Sequence, residues 1–142
     1  MIILEITEFS QPVLEAVNLL LPQLSKSASA LDEKSLIDII NHEATHLLMA
    51  VEDGKYYGML TLVKFPIPTG FRVWIEDVVV SEDARKKGVG RMLSEHAIAM
   101  AKSLGARTID LTSRPSRSEA NKLYQAVGFM KRQTNVYRYQ AT

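Results

Sequence analysis

Three consecutive cations, Arg85, Lys86 and Lys87, stand directly before Gly88-Val89-Gly90, with Arg91 following. On one side lies the apolar stretch Val78 to Val80, and on the other a helical pattern begins. That combination suits a phosphate-bearing ligand. The start of a helix leaves N–H groups without acceptors and carries the positive end of the helix dipole. Glycines there let a diphosphate approach the backbone closely, and the cations add charge beside it. Two other phosphate motifs fail. No G-x-x-x-x-G-K-[ST] run occurs in the chain. A dinucleotide fingerprint would use Gly88 and Gly90 with Asp110 near the ribose spacing, but its third glycine is replaced by Leu93. Seven residues also separate Val80 from Gly88, where that fingerprint has a tight turn directly after its strand.

The charge of the whole chain is divided in the same sense. Up to Asp83 there are 5 Lys and Arg against 13 Asp and Glu, and from Ala84 onward 12 against 3, so a net charge of +1 hides an acidic half and a basic half. The basic half fits a polyanion and the acidic half a cationic ligand, although two faces attracting each other would have the same composition. Nucleic-acid binding is disfavoured, because the cations gather at one loop and helix start without interleaved aromatics. His42 and His46 have an i, i+4 spacing, but no H-E-x-x-H surrounds them, and a metal site is not expected.

The elements that must hold these residues follow from periodicity. Ile2 to Ile6 predicts an opening strand, and Gln11 to Ser25 a helix with Pro12 in its first turn, which Pro22 should kink or end early. Asp32 predicts the cap of a second helix ending near Asn41. His46 to Val51 and Lys55 to Phe65 flank Asp53-Gly54, a two-residue hairpin signal. A loop over Pro66 to Gly70 leads to a strand from Arg72 to Val80, in which alternation would send Glu76 and Asp77 to opposite faces. Val89, Leu93, Ala97, Met100 and Leu104 define one helix face, which Gly105 closes. A strand over Arg107 to Thr112 follows, then a helix opened by a capping box at Ser116 and Glu119 and ended by Gly128, then a strand region from Phe129 to Tyr139. The order β-α-α-β-β-β-α-β-α-β describes one α/β (α+β) domain over residues 1–142, a mixed, mostly antiparallel sheet with helices on both faces.

With 142 residues, 46% of them hydrophobic, the chain has enough apolar material for a core that needs no covalent staples. The absence of cysteine excludes disulfides, thiolate metal sites and a cysteine nucleophile. No apolar run reaches the length of a membrane span, and the first basic residue is Lys26, so neither a membrane segment nor a signal peptide is read here. A cytoplasmic location is the expectation.

Arg85-Lys-Lys-Gly-Val-Gly90 after Ile75-Glu-Asp-Val-Val-Val80, followed by Ala120-Asn-Lys-Leu-Tyr124 and Val127-Gly-Phe129, resembles the GNAT superfamily of acetyl-CoA-dependent N-acetyltransferases. The resemblance implies that the backbone N–H groups from Lys86 to Arg91, through Lys87, Gly88, Val89 and Gly90, hold the coenzyme A diphosphate with Arg85 beside them. It implies that Val78, Val79 and Val80 pair with the pantetheine arm, and that Tyr124 protonates the departing thiolate. Many members place an asparagine seven residues before that tyrosine, where this chain has Arg117; Asn121 lies three before it and is the available pantetheine contact. Acetyl transfer also needs the amine deprotonated and the carbonyl oxygen stabilised. Glu76, directly or through a water, is the favoured base and Asp77 the alternative, with a free N–H near Val78 or Val79 for the oxygen. Lacking cysteine, the chain would transfer the acetyl group directly in a ternary complex. The acceptor is expected to be a small amine or amino sugar, and a homodimer is expected by analogy. A non-catalytic acyl-CoA sensor on the same fold is the rival reading.

Overall fold

In a computed structural model describing residues 1–142, Asp53 and Gly54 both take positive φ, 51° and 73°, the geometry of the tight turn that matches the twist of paired strands. They join β2 (Thr45–Glu52) to β3 (Lys55–Ile67), the centre of a five-stranded sheet. The other strands are β1 (Ile2–Glu5), β4 (Gly70–Val80) and β5 (Thr108–Asp110), and the sheet runs β1-β2-β3-β4-β5. All neighbours are antiparallel except β4 and β5. Four helices complete the chain: α1 (Gln11–Leu24), α2 (Glu33–Asn41), α3 (Val89–Ser103) and α4 (Ser118–Ala126).

The sheet divides two cores. On one side Leu48, Ala50, Leu60, Leu62, Val73 and Ile75 pack beneath Val89, Leu93, Ala97 and Ala101 of α3. On the other, Leu47, Met49, Met59 and Val79 meet Val13, Val17 and Leu20 of α1 and Leu36 of α2. Alternation along β2 and β3 sends successive side chains to opposite faces, which is why one strand feeds both cores. The mixed, mostly antiparallel sheet with helices on both faces is the architecture read from the sequence.

Several local expectations are corrected. Pro22 does not end α1 early: the helix continues to Leu24, and Ser25 N–H closes its last turn on Leu21 O. The segment Pro66 to Gly70 is no loop. β3 runs to Ile67 and β4 begins at Gly70, leaving Pro68 and Thr69 as a tight turn. Pro66 is tolerated because this end of β3 extends beyond β2, whose register with β3 starts at Thr45 and Val63, so no ladder bond is lost on that side. The capping box is not formed. α4 starts at Ser118 with Arg117 at its cap position and no side chain bonded to its first turn. The last strand is absent as well: residues 129–142 belong to no strand, and β5 is an edge.

Candidate active site

β4 changes phase partway along its length. Val73 and Ile75 point into the α3-side core, yet Val78 and Val80 pack against that same core and Val79 enters the other. Odd and even positions have exchanged roles. The register shows why: Glu76 opposes Thr61 and Val79 opposes Met59, so Asp77 and Val78 together face the single residue Leu60. This is a β-bulge, with Asp77 at a left-handed φ of 51°, a conformation aspartate tolerates better than most residues. The simple alternation expected for Glu76 and Asp77 therefore stops at Glu76. Glu76 shares its face with Trp74, whose indole N–H donates to Oε1 at 2.7 Å. Both Glu76 and Asp77 are exposed.

The bulge lies where β4 and β5 separate. β5 pairs only with Arg72, Val73 and Trp74, leaving the β4 edge from Ile75 to Val80 without a strand beside it. Those six residues offer a row of backbone donors and acceptors to any extended ligand laid into the gap. Val78, Val79 and Val80 form its far end.

Beyond Val80 the chain makes one 3₁₀ turn over Glu82–Ala84, held by Ser81 N–H donating to Tyr57 O and by Glu82 N–H donating to Gln23 Oε1 of α1. Ala84 is buried, and the next four residues are exposed. Lys86 and Gly88 take left-handed φ values of 63° and 79°. A Cβ on Gly88 would meet nothing within 4 Å, so this glycine is required by its backbone angle and leaves open space in front of it. The first bond inside α3 is Met92 N–H to Gly88 O, and none of the loop and cap bonds uses an N–H from Arg85 to Arg91. Those donors, with the exposed side chains of Arg85, Lys86 and Lys87, fit an anionic diphosphate. The side chain of Arg91 pairs with Glu95 at 2.8 Å, an exposed contact one turn along α3.

Gly90 differs from Gly88. A Cβ there would lie 2.9 Å from Leu123 Cδ2, which makes it the point where α4 closes onto α3. Gly58 was not read as a site residue, yet it seats this same turn: a Cβ would meet Val79 O at 2.9 Å and the side chains of Leu93 and Val89 at 3.2 Å. Ser94, 1% exposed, donates to Gly90 O at 2.8 Å and fixes the turn from within. A glycine inside a strand pattern was the one available signal for Gly58. Nothing in the sequence marks Gln23 or Ser94.

On α4, Tyr124 is 6% exposed and meets Phe129 edge to face at 5.9 Å between ring centroids. Its burial pushes the phenol above the usual 10.0, while the charge of Arg117 pulls the other way. The hydroxyl is not among the buried polar atoms that lack a partner, and no hydrogen bond contributes to its shift. Asn121 lies one turn earlier and donates from its amide to Arg114 O at 2.9 Å. It therefore closes the loop between β5 and α4 and keeps its Oδ1 and a second amide hydrogen for anything else. The two histidines stand apart. His42 Nδ1 accepts from Ala44 N–H, and His46 Nδ1 lies 2.8 Å from Glu5.

These features are those of a fold that comparison identifies. The model of the acetyltransferase (GNAT) family matches residues 13–129, and the chain belongs to that family. Over 108 residues it is 26% identical to an uncharacterized N-acetyltransferase, YhdJ, of Bacillus subtilis (strain 168), covering 72% of this chain and 76% of that protein. A candidate acetyltransferase from Agrobacterium tumefaciens str. C58 superposes with a TM-score of 0.87 at 22% identity, over 99% of this chain and 100% of its own. The aminoglycoside acetyltransferase meta-AAC0020 from an uncultured soil metagenomic sample, solved with sisomicin, gives 0.87 at 17% identity, over 99% and 95% of the two chains. No helix is long and apolar enough to cross a membrane.

Proposed function

We propose that this acetyltransferase moves the acetyl group of acetyl-CoA directly to a small cationic amine. The observation that carries the reading is the junction of an open β4 edge, from Ile75 to Val80, with a run of N–H groups from Arg85 to Arg91 that no backbone acceptor uses. Acetyl-CoA supplies the acetyl thioester. The donors of Lys86 to Arg91, with the charges of Arg85, Lys86 and Lys87, hold its diphosphate, and the β4 edge at Val78 to Val80 aligns the pantetheine by backbone pairing. Asn121, with Oδ1 and one amide hydrogen uncommitted, is the pantetheine contact from α4.

Glu76, held by Trp74, takes one proton from the acceptor nitrogen directly or through a water, and an ammonium acceptor releases its other proton to solvent before attack. Asp77 has the same chemistry but sits on the bulge. There, a backbone N–H of Val78 or Val79 freed from the ladder stabilises the carbonyl oxygen. As the carbon–nitrogen bond forms and the carbon–sulfur bond breaks, Tyr124 gives its proton to the leaving sulfur. A phenol pushed above its usual value stays protonated through neutral pH, as a donor must. Glu76 and Tyr124 then return to their starting states by exchange with solvent. An acidic first half, with 13 carboxylates up to Asp83, favours a cationic acceptor, and an aminoglycoside acetyltransferase among the structural neighbours favours amino sugars within that class.

The test is thiol release from acetyl-CoA across a panel of amines, amino sugars included, followed with a thiol reagent. A chain without cysteine gives no background of its own. Amine-dependent release that drops in Glu76→Gln and Tyr124→Phe is expected. Tight acetyl-CoA binding with no release for any amine would instead favour the sensor reading.

A further inference from the structure

The opening of α4 breaks two local rules at one residue. A helix start favours a small side chain that accepts hydrogen bonds, and its positive dipole end repels cations. Arg117 holds the cap position, bonds nothing in the first turn and pairs with no carboxylate. Glu119, the acid nearest in sequence, is two positions along and projects from another side of the helix. The backbone of Arg117 is nonetheless held on both sides: its N–H donates to Arg114 O at 3.0 Å, and its carbonyl accepts from Asn121 N–H at 3.0 Å. An exposed cation fixed where it costs stability marks a residue kept for another purpose.

That purpose lies along α4. Arg117 and Tyr124 are seven residues apart, so they share a face of the helix, about 10 Å from each other along its axis. Side chains lean toward a helix N-terminus, which brings the phenol back toward the guanidinium. Arg117 is the only charged group that acts on the phenol through its charge. Glu119 and Lys122 on α4, Arg91 and Glu95 on the adjoining α3, and Arg114 in the loop before α4 add nothing. Tyr124 is otherwise buried beside Phe129. A proton donor so placed is hard to use, because giving up its proton leaves a negative charge out of water.

We infer that Arg117 is the positioning residue for this proton transfer: its fixed positive charge stabilises the negative charge as it passes from the leaving sulfur to the Tyr124 oxygen. The inference rests on Tyr124 as the acid of the proposed reaction. When the carbon–sulfur bond breaks, its electron pair goes to sulfur and the phenol proton follows. The phenolate left behind is balanced by Arg117 until solvent returns a proton, and the guanidinium keeps its own proton throughout.

Arg117→Gln and Arg117→Lys test the inference. Loss of the charge should lower kcat about tenfold or more. The melting temperature of Arg117→Gln should be no lower than that of wild type, because the cap position gains nothing from a cation. Arg117→Lys should keep most of the rate. Without acetyl-CoA, the tyrosinate absorbance of each protein minus that of its Tyr124→Phe counterpart gives the Tyr124 titration. It should move to higher pH in Arg117→Gln and stay near wild type in Arg117→Lys. Wild-type kcat in Arg117→Gln, whatever its titration, would overturn the inference while leaving Tyr124 as the acid. A lower kcat with an unmoved titration would make Arg117 a substrate contact and overturn it too. Wild-type kcat in Tyr124→Phe would instead remove the acid, and the inference with it.

Discussion

Gly58→Ala tests whether the start of α3 is positioned by the strand beneath it. The added methyl would stand 2.9 Å from Val79 O and 3.2 Å from both Leu93 Cδ1 and Val89 Cγ1. Leu93 and Val89 are 0% and 1% exposed, so neither has space to retreat into. Overpacking of this kind costs about 1–3 kcal/mol. The loss of glycine freedom in the unfolded chain returns about 0.4–1 kcal/mol. A net loss of about 1–2 kcal/mol lowers the melting temperature by about 3–8 °C for a chain of this size. Because the displaced atoms are the first turn of α3 and the β4 edge, acetyl-CoA affinity should fall with stability. Gly90→Ala is the contrast: its only close neighbour, at 2.9 Å, is the end of the flexible Leu123 side chain, which can rotate away. Urea unfolding and isothermal titration on the two variants decide the matter. A Gly58→Ala protein as stable as wild type, or one destabilised less than Gly90→Ala, would refute the packing reasoning.

Tyr124→Phe should reduce turnover by about 10²-fold or more. It should leave stability within about 0.5 kcal/mol of wild type, since the hydroxyl adds no hydrogen bond to the phenol's environment; equal kcat in the two proteins would remove the acid role. The same residue gives a pH signature. Its phenol ionises more readily in the unfolded chain than in the folded one, so its contribution is intact below about pH 10 and is lost as pH rises further. The urea midpoint of wild type should therefore fall more steeply above pH 10 than that of Tyr124→Phe, and parallel curves would contradict this. Trp74→Phe removes the 2.7 Å bond to Glu76 and should lower kcat with little change in acetyl-CoA affinity; an unchanged kcat would separate Glu76 from the chemistry. Asn121→Ala frees the β5 to α4 loop from Arg114 O, and faster hydrogen exchange over 111–117 is the expected result.

The sequence made the phosphate-binding turn legible because its signal is local: cations, glycines and the onset of helical periodicity are adjacent in the chain. The Asp53-Gly54 turn was legible for the same reason. The bulge was not. Ile75 to Val80 reads as continuous alternation, and only the two-against-one pairing of Asp77 and Val78 with Leu60 reveals the phase change. The double duty of the glycines was also hidden, since Gly88 answers to its own backbone angle but Gly90 answers to Leu123 on a helix more than 30 residues away. Pro66 misled by type. Proline ordinarily breaks a strand, and its tolerance here depends on β2 ending short of it. Residues 129–139 have the composition of a strand but pair with none.

The most direct test of the central claim is isothermal titration of acetyl-CoA into the wild-type protein and into a Gly88→Trp variant verified as folded. The space in front of Gly88 is open, so the indole would occupy the ground assigned to the diphosphate. Micromolar binding by wild type, weakened at least tenfold in the variant, is the expected result. No binding by wild type at low or moderate salt, or equal binding by the two proteins, would contradict the assignment of Arg85 to Arg91 as the coenzyme site.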